Sequence, residues 1–196
     1  RVLDPREYYT AHYAPFNIFN ELENNYIDLD VLDAKFQAEL RFKPLRGLEL
    51  TLLGAFKHTA ASQQHNVRDK SNQAMAYRAM PNSVIREGNK YLYRDPDNPN
   101  SLPMSVLPNG GILHKTENTL SDYDFRVTAN YNRTFDHKHV INLFGGMETV
   151  DIQRNRSSYE GWGMQYYAGE TPFYPYQYFK KQVEEGNNYY GLTNTN

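Results

Sequence analysis

Strict alternation of apolar and polar side chains, tight turns at one end of each strand pair and very long connections at the other predict an all-β chain. Its antiparallel strands are expected to come from a large transmembrane β-barrel. Phe36, Ala38, Leu40 and Phe42 alternate with Lys35, Gln37, Glu39, Arg41 and Lys43. Across Pro44-Leu45-Arg46-Gly47 the pattern resumes as Leu48, Leu50, Leu52 and Phe56 against Glu49, Thr51 and Lys57. A second pair sets Tyr123, Phe125, Val127, Ala129, Tyr131 and Phe135 against Asp124, Arg126, Thr128, Asn130, Asn132 and Thr134. It turns through Asp136 to His139 and returns as Ile141, Leu143, Gly145 and Met147. Successive side chains on a strand point to opposite faces, so each segment has one apolar and one polar face. A soluble β-sandwich-like fragment with one wet face satisfies the same alternation, because a barrel lumen and bulk water ask for the same residues.

Taken in order, residues 1–30 are rich in Tyr, Asn and Pro without a sustained helical period, and read as an extracellular loop. Strands are expected near 33–43, 48–59, 122–135 and 139–152, with further extracellular loops over 61–121 and 153–196. A structureless connection as long as 61–121 is uncommon inside a soluble domain, where loops beyond about 12–15 residues are rare. Within it, Ala74, Met75, Ala76, Tyr77, Ala79 and Met80 predict a short helix over 71–80. Arg94-Asp95-Pro96-Asp97-Asn98-Pro99-Asn100 is turn chemistry, since Pro and Asx residues fix or locally bond the bends. The aromatic tail predicts a second short helix near 176–185. Arg1 to Asn20 reads as the middle of a chain already under way, which predicts a piece of a longer protein.

Composition alone conceals the alternation. The chain has 196 residues, a mean hydropathy of -0.80 and 22% charged residues, values of a soluble protein. No stretch approaches the ~20 apolar residues of a spanning helix, but only every second residue of a barrel strand must suit lipid. A formal charge of -2 with interspersed signs gives no reason to expect nucleic acid. The absence of cysteine excludes disulfides, thiolate zinc sites and a thiol nucleophile.

The run Ala14-Pro15-Phe16-Asn17-Ile18-Phe19-Asn20-Glu21-Leu22-Glu23-Asn24-Asn25-Tyr26, with Leu32-Asp33-Ala34-Lys35-Phe36-Gln37-Ala38-Glu39-Leu40 after it, resembles the barrel region of the SusC/RagA family of TonB-linked outer-membrane transporters. So do Ser71-Asn72-Gln73-Ala74-Met75-Ala76-Tyr77-Arg78-Ala79 and Gly161-Trp162-Gly163-Met164-Gln165-Tyr166. The resemblance covers essentially the whole chain and implies a middle slice of a barrel of about 22 strands, without the plug domain. It further implies location in the bacterial outer membrane and import of an oligosaccharide, or in some members an oligopeptide. The implied partners are a SusD-like surface lipoprotein, outer-membrane lipid, and a TonB complex acting through an N-terminal part that this chain lacks. A secreted soluble β domain that binds glycan without transport is the competing expectation.

Trp162, Tyr166, Tyr167, Phe173, Tyr174 and Tyr176, with Tyr178 and Phe179, are the candidate ligand or partner contacts. Their faces suit sugar rings or peptide side chains, although packing of the loop on itself uses the same residues. Asp95, Asp97 and Asn98 lack the Gly and distal Glu of a calcium loop, and turn formation is the expected role. His58, His65, His114, His137 and His139 are scattered; His137 and His139 lack a third ligand for zinc. No nucleophile elbow or phosphate loop occurs, so no catalytic residue, metal or cofactor is expected and the chain does not read as an enzyme.

Overall fold

The computed structural model describes residues 4, 6–136 and 138–186, together with the backbone of 192–195. A small hairpin comes first: β1 (Tyr9–Ala11) pairs antiparallel with β2 (Ala14–Phe16), Tyr9 lying opposite Phe16. Helix α1 (Ile18–Asn24) follows, begun by Asn17, whose side chain accepts the Asn20 N–H and satisfies one of the helix's orphan donors. The next two strands are long, β3 (Asn25–Leu45) and β4 (Leu48–Val67). Two short helices come next, α2 (Asn72–Ala76) capped by Ser71 and α3 (Ser83–Gly88) capped by Asn82. The brief β5 (Leu92–Tyr93) and β6 (Met104–Ser105) pair antiparallel. Then come the long β7 (Gly111–Phe135) and β8 (His139–Met164), a 3-10 turn at Tyr166–Ala168, α4 (Tyr176–Glu184) and β9 (Leu192–Thr195).

The four long strands and the short β9 form one sheet in the order β3-β4-β7-β8-β9. Their register is tied down by named contacts. Asn132 donates its N–H to the Gly47 carbonyl at 2.7 Å, the Phe56 and Tyr123 rings lie 5.0 Å apart, and Arg126 pairs with Glu148 at 2.6 Å. Gly47 has a φ of +89° and a Cβ there would run into the Asn132 carbonyl, so the tight turn after Arg46 requires glycine on two counts.

Every long strand outruns its expected span. Residues 25–32, 60–67, 111–121 and 153–164, read from sequence largely as loop, belong to β3, β4, β7 and β8. Backbone pairing needs no apolar alternation, so the ladder continues through Gln63-Gln64-His65-Asn66, where the pattern gives no cue. Residues 1–30 likewise hold a hairpin and a helix rather than plain loop. The helices expected over 71–80 and 176–185 correspond to α2 and α4. Residues 1–3, 5, 137, 187–191 and 196, which include His137 and parts of the first and last expected loops, lie outside the described residues.

The chain divides into two compact units, the long strands contributing to both. The first comprises Arg1–Leu29, Ser62–Thr116 and Ser157–Asn194 and contains every buried apolar side chain of the described residues. Val67, Ala74, Tyr93, Val106, Leu107, Ile112, Trp162 and Tyr178 form its core. The second comprises Asp30–Ala61, Glu117–Arg156 and Thr195–Asn196, and none of its residues whose side chains are described is buried. One face of its sheet carries Phe36, Ala38, Phe56, Tyr123 and Phe125 around a shallow apolar surface. The other groups Lys35, Lys57, Asp122 and Arg126 and carries the Arg126–Glu148 pair.

Candidate functional site

The six ring-bearing candidates fall into two sets. Trp162 is 6% exposed, its indole Nε1–H donates to the Val106 carbonyl at 2.7 Å, and its ring stacks on Tyr178 with centroids 4.8 Å apart. Tyr166 donates its hydroxyl to the Ile112 carbonyl at 2.8 Å, and Tyr174 donates to the Glu160 carbonyl at 2.9 Å. Burial raises the pKa of both phenols, and Tyr178 is pushed up to about 12 chiefly by burial. These rings pack the first unit, and burial takes the Trp162 side chain out of reach of a ligand. Tyr167, Phe173 and Tyr176 are exposed, Tyr167 to 88%. The segment is bent by Gly163, at φ +66°, where a Cβ would strike the Phe173 carbonyl and break its close approach.

Asp95 is half-buried and Asp97 exposed, and both are tied to the fold by Lys180. The Asp95 side chain accepts the Asp97 N–H at 3.0 Å, the expected turn, and the Lys180 ammonium bonds Asp95 at 2.6 Å and Asp97 at 2.9 Å. Those bonds hold Asp95 below the usual carboxylate range and raise Lys180. Glu184 joins the same acidic cluster and accepts the Tyr93 hydroxyl at 2.8 Å. The cluster ties α4 to the Asp95 turn, a cross-link between residues 83 and 85 positions apart that spacing alone does not reveal. Of the scattered histidines, His65 and His114 stack at 5.9 Å, with Asn25 Oδ1 2.7 Å from His65 Nε2 and Glu160 3.8 Å from His114.

A concave site that sequence reasoning missed lies in the first unit. Its volume is about 570 Å³, and Phe16, Glu21, Gln73, Tyr77 and Tyr91 are among its walls, with His12 beside them. The β1–β2 turn builds one side: His12 and Tyr13 both have positive φ, 49° and 68°, the paired left-handed geometry of a two-residue hairpin turn that usually takes Asn-Gly. Tyr13 is anchored by its hydroxyl, which donates to the Gly88 carbonyl at 2.8 Å, and its ring meets Tyr91 edge-on at 6.3 Å. Asn72 clamps the hairpin, its amide reaching the carbonyls of Ala11, Ala14 and Pro15 at 2.8–3.0 Å while its N–H bonds Glu21 at 2.7 Å. Tyr77 stands between Tyr91 at 5.0 Å and Trp162 at 5.2 Å, so the packed aromatic core backs the cavity wall. These residues are dispersed from Ala11 to Tyr91 without periodicity, and only the fold assembles them. No family model matches the chain, and no curated protein matches it.

Proposed function

We propose that this chain supplies barrel wall and outer loops to a TonB-linked outer-membrane transporter of the SusC/RagA kind. Such a protein imports an oligosaccharide or oligopeptide together with a SusD-like lipoprotein. The observation that supports this reading is the second unit. It is a sheet of long strands without a buried residue among those described, yet Phe36, Leu143 and Met147 on its apolar face are 68%, 62% and 64% exposed. A soluble sandwich covers such a face with a second layer, whereas in a bilayer lipid covers it. Strands of 20 to 26 residues exceed the ~9–11 needed to cross. An open sheet edge in lipid leaves backbone groups unsatisfied, so β3 calls for a neighbouring strand, which a larger barrel supplies.

In this reading the polar face, with its Arg126–Glu148 and Lys57–Asp33 pairs, meets the aqueous lumen. The residues near Tyr167 and Tyr176 lie outside the membrane, where a lipoprotein or ligand reaches them. The tight turn at Arg46 then belongs to the periplasmic side and Asn98 to the cell exterior. Single cysteines at the two positions, labelled on intact cells with an impermeant maleimide, are expected to react only at Asn98. Equal labelling overturns the reading, and so does extraction without detergent, which would favour a soluble glycan-binding domain.

A further inference from the structure

We propose that the cavity walled by Phe16, Tyr77, Tyr91 and Glu21 binds organic cations with an apolar stem: the basic side chain of a peptide or a free alkylamine. The charge of the lining favours this class. Glu21 is the only acidic residue there, and among the described residues His12 is the only basic side chain of the lining, with neither Lys nor Arg beside it. Asn72 and Asn20 both bond its Oε1, which leaves Oε2 without a protein hydrogen-bond partner among the described residues. Three aromatic rings line the cavity, and the face of such a ring carries negative quadrupole charge that attracts a cation within about 6 Å. The same unit already holds a cation in this way: the Arg68 guanidinium lies 5.3 Å from the Tyr26 ring and 5.7 Å from the Tyr166 ring.

Shape and rigidity point the same way. A volume of about 570 Å³ falls within the range of small-ligand sites, roughly 300–1,000 Å³, and exceeds what a compact inorganic ion fills. The lining is mostly apolar, as the stem of an arginine or an alkylamine requires. The left-handed His12 and Tyr13 are a cost that the Tyr13–Gly88 bond and the Asn72 clamp sustain, and strain sustained in this way marks a preorganised wall. A preorganised wall spends less of the binding energy on ordering.

This inference is independent of the transport reading, because it concerns a cavity within one unit and is tested by binding rather than by membrane topology. The full chain in detergent micelles is titrated calorimetrically with Nα-acetyl-arginine amide and its neutral citrulline counterpart, and with hexylamine and hexanol. Each cation is expected to bind about tenfold more tightly than its neutral partner, the scale of a carboxylate and ring faces acting together. The tighter of the two cations then identifies the source. Glu21→Gln keeps an acceptor for the Asn72 N–H and is expected to abolish the preference for charge. Gln73→Glu adds a second carboxylate to the wall and is expected to strengthen the preference, which decides the matter even where Glu21→Gln does not fold. Equal binding of charged and neutral partners, no binding of either cation, or an unchanged preference in both folded variants overturns the proposal.

Discussion

The indole of Trp162 links three stretches of chain, touching Tyr77 and Tyr178 and donating to Val106. Removing it opens a large cavity and orphans a carbonyl, so Trp162→Ala is expected to cost about 3–5 kcal/mol by urea unfolding. Tyr167→Ala, at an exposed position, is expected to stay within about 0.5 kcal/mol, and equal effects would remove the distinction drawn between the two rings. Two buried phenols add a pH dependence. Burial, with Glu184 beside Tyr93, pushes Tyr93 up to about 12, and Tyr178 stands at about 12 mainly through burial. An unfolded tyrosine ionises near about 10, so the folded state binds the extra protons above that pH. The stabilisation is complete below about pH 10 and disappears as the pH rises through about 12. Tyrosinate absorbance and unfolding midpoints recorded together over that window are expected to fall out of step for Tyr93→Phe, which retains the packing without the proton. At this scale the sequence supplies the rings but not their burial, because Trp162 and the exposed Tyr167 sit in one aromatic run.

At the scale of the element, the two faces of β4 make opposite demands. Under the proposed reading Leu50 meets lipid, where arginine at the midplane costs about 2–4 kcal/mol, while Thr51 meets the lumen and tolerates the change. Leu50→Arg is therefore expected to lower stability far more than Thr51→Arg, measured by heat-modifiable migration of the assembled protein. Equal losses would remove the two-faced assignment. Phe36 to Phe42 and Tyr123 to Tyr131 are legible because apolar and polar side chains alternate there between the two faces of the strand. Legibility ends at Val31-Leu32, where Ile27, Leu29 and Val31 occupy the opposite parity from Leu32, Phe36 and Leu40. The strand runs straight through that change, so a reading based on one parity starts it late. Helix α4 is visible in sequence as a short amphipathic segment, but its tether, Lys180 to Asp95 and Asp97, is a long-range pairing that no local pattern encodes.

For the whole molecule, the described buried residues are confined to the first unit, and under the proposed reading the second unit, with none among its described residues, meets a different solvent. The cavity beside Tyr77 belongs to the first, and it was illegible because its walls come from a hairpin, two helices, the start of β3 and the loop residues Tyr77 and Tyr91. The first unit is also discontinuous in sequence: Val67, Tyr93, Leu107 and Ile112 precede the Asp136 turn, and Trp162 and Tyr178 follow it. The molecule is thus divisible. Cleavage of the exposed bond after Lys138 leaves two halves that share one core, and exposed turns are where such breaks are tolerated. The halves are expected to copurify until denatured, and two separate genes opened at that turn are expected to complement each other as a split protein. Separation of the halves under native conditions would show that covalent continuity, rather than the shared core around Trp162, holds the first unit together.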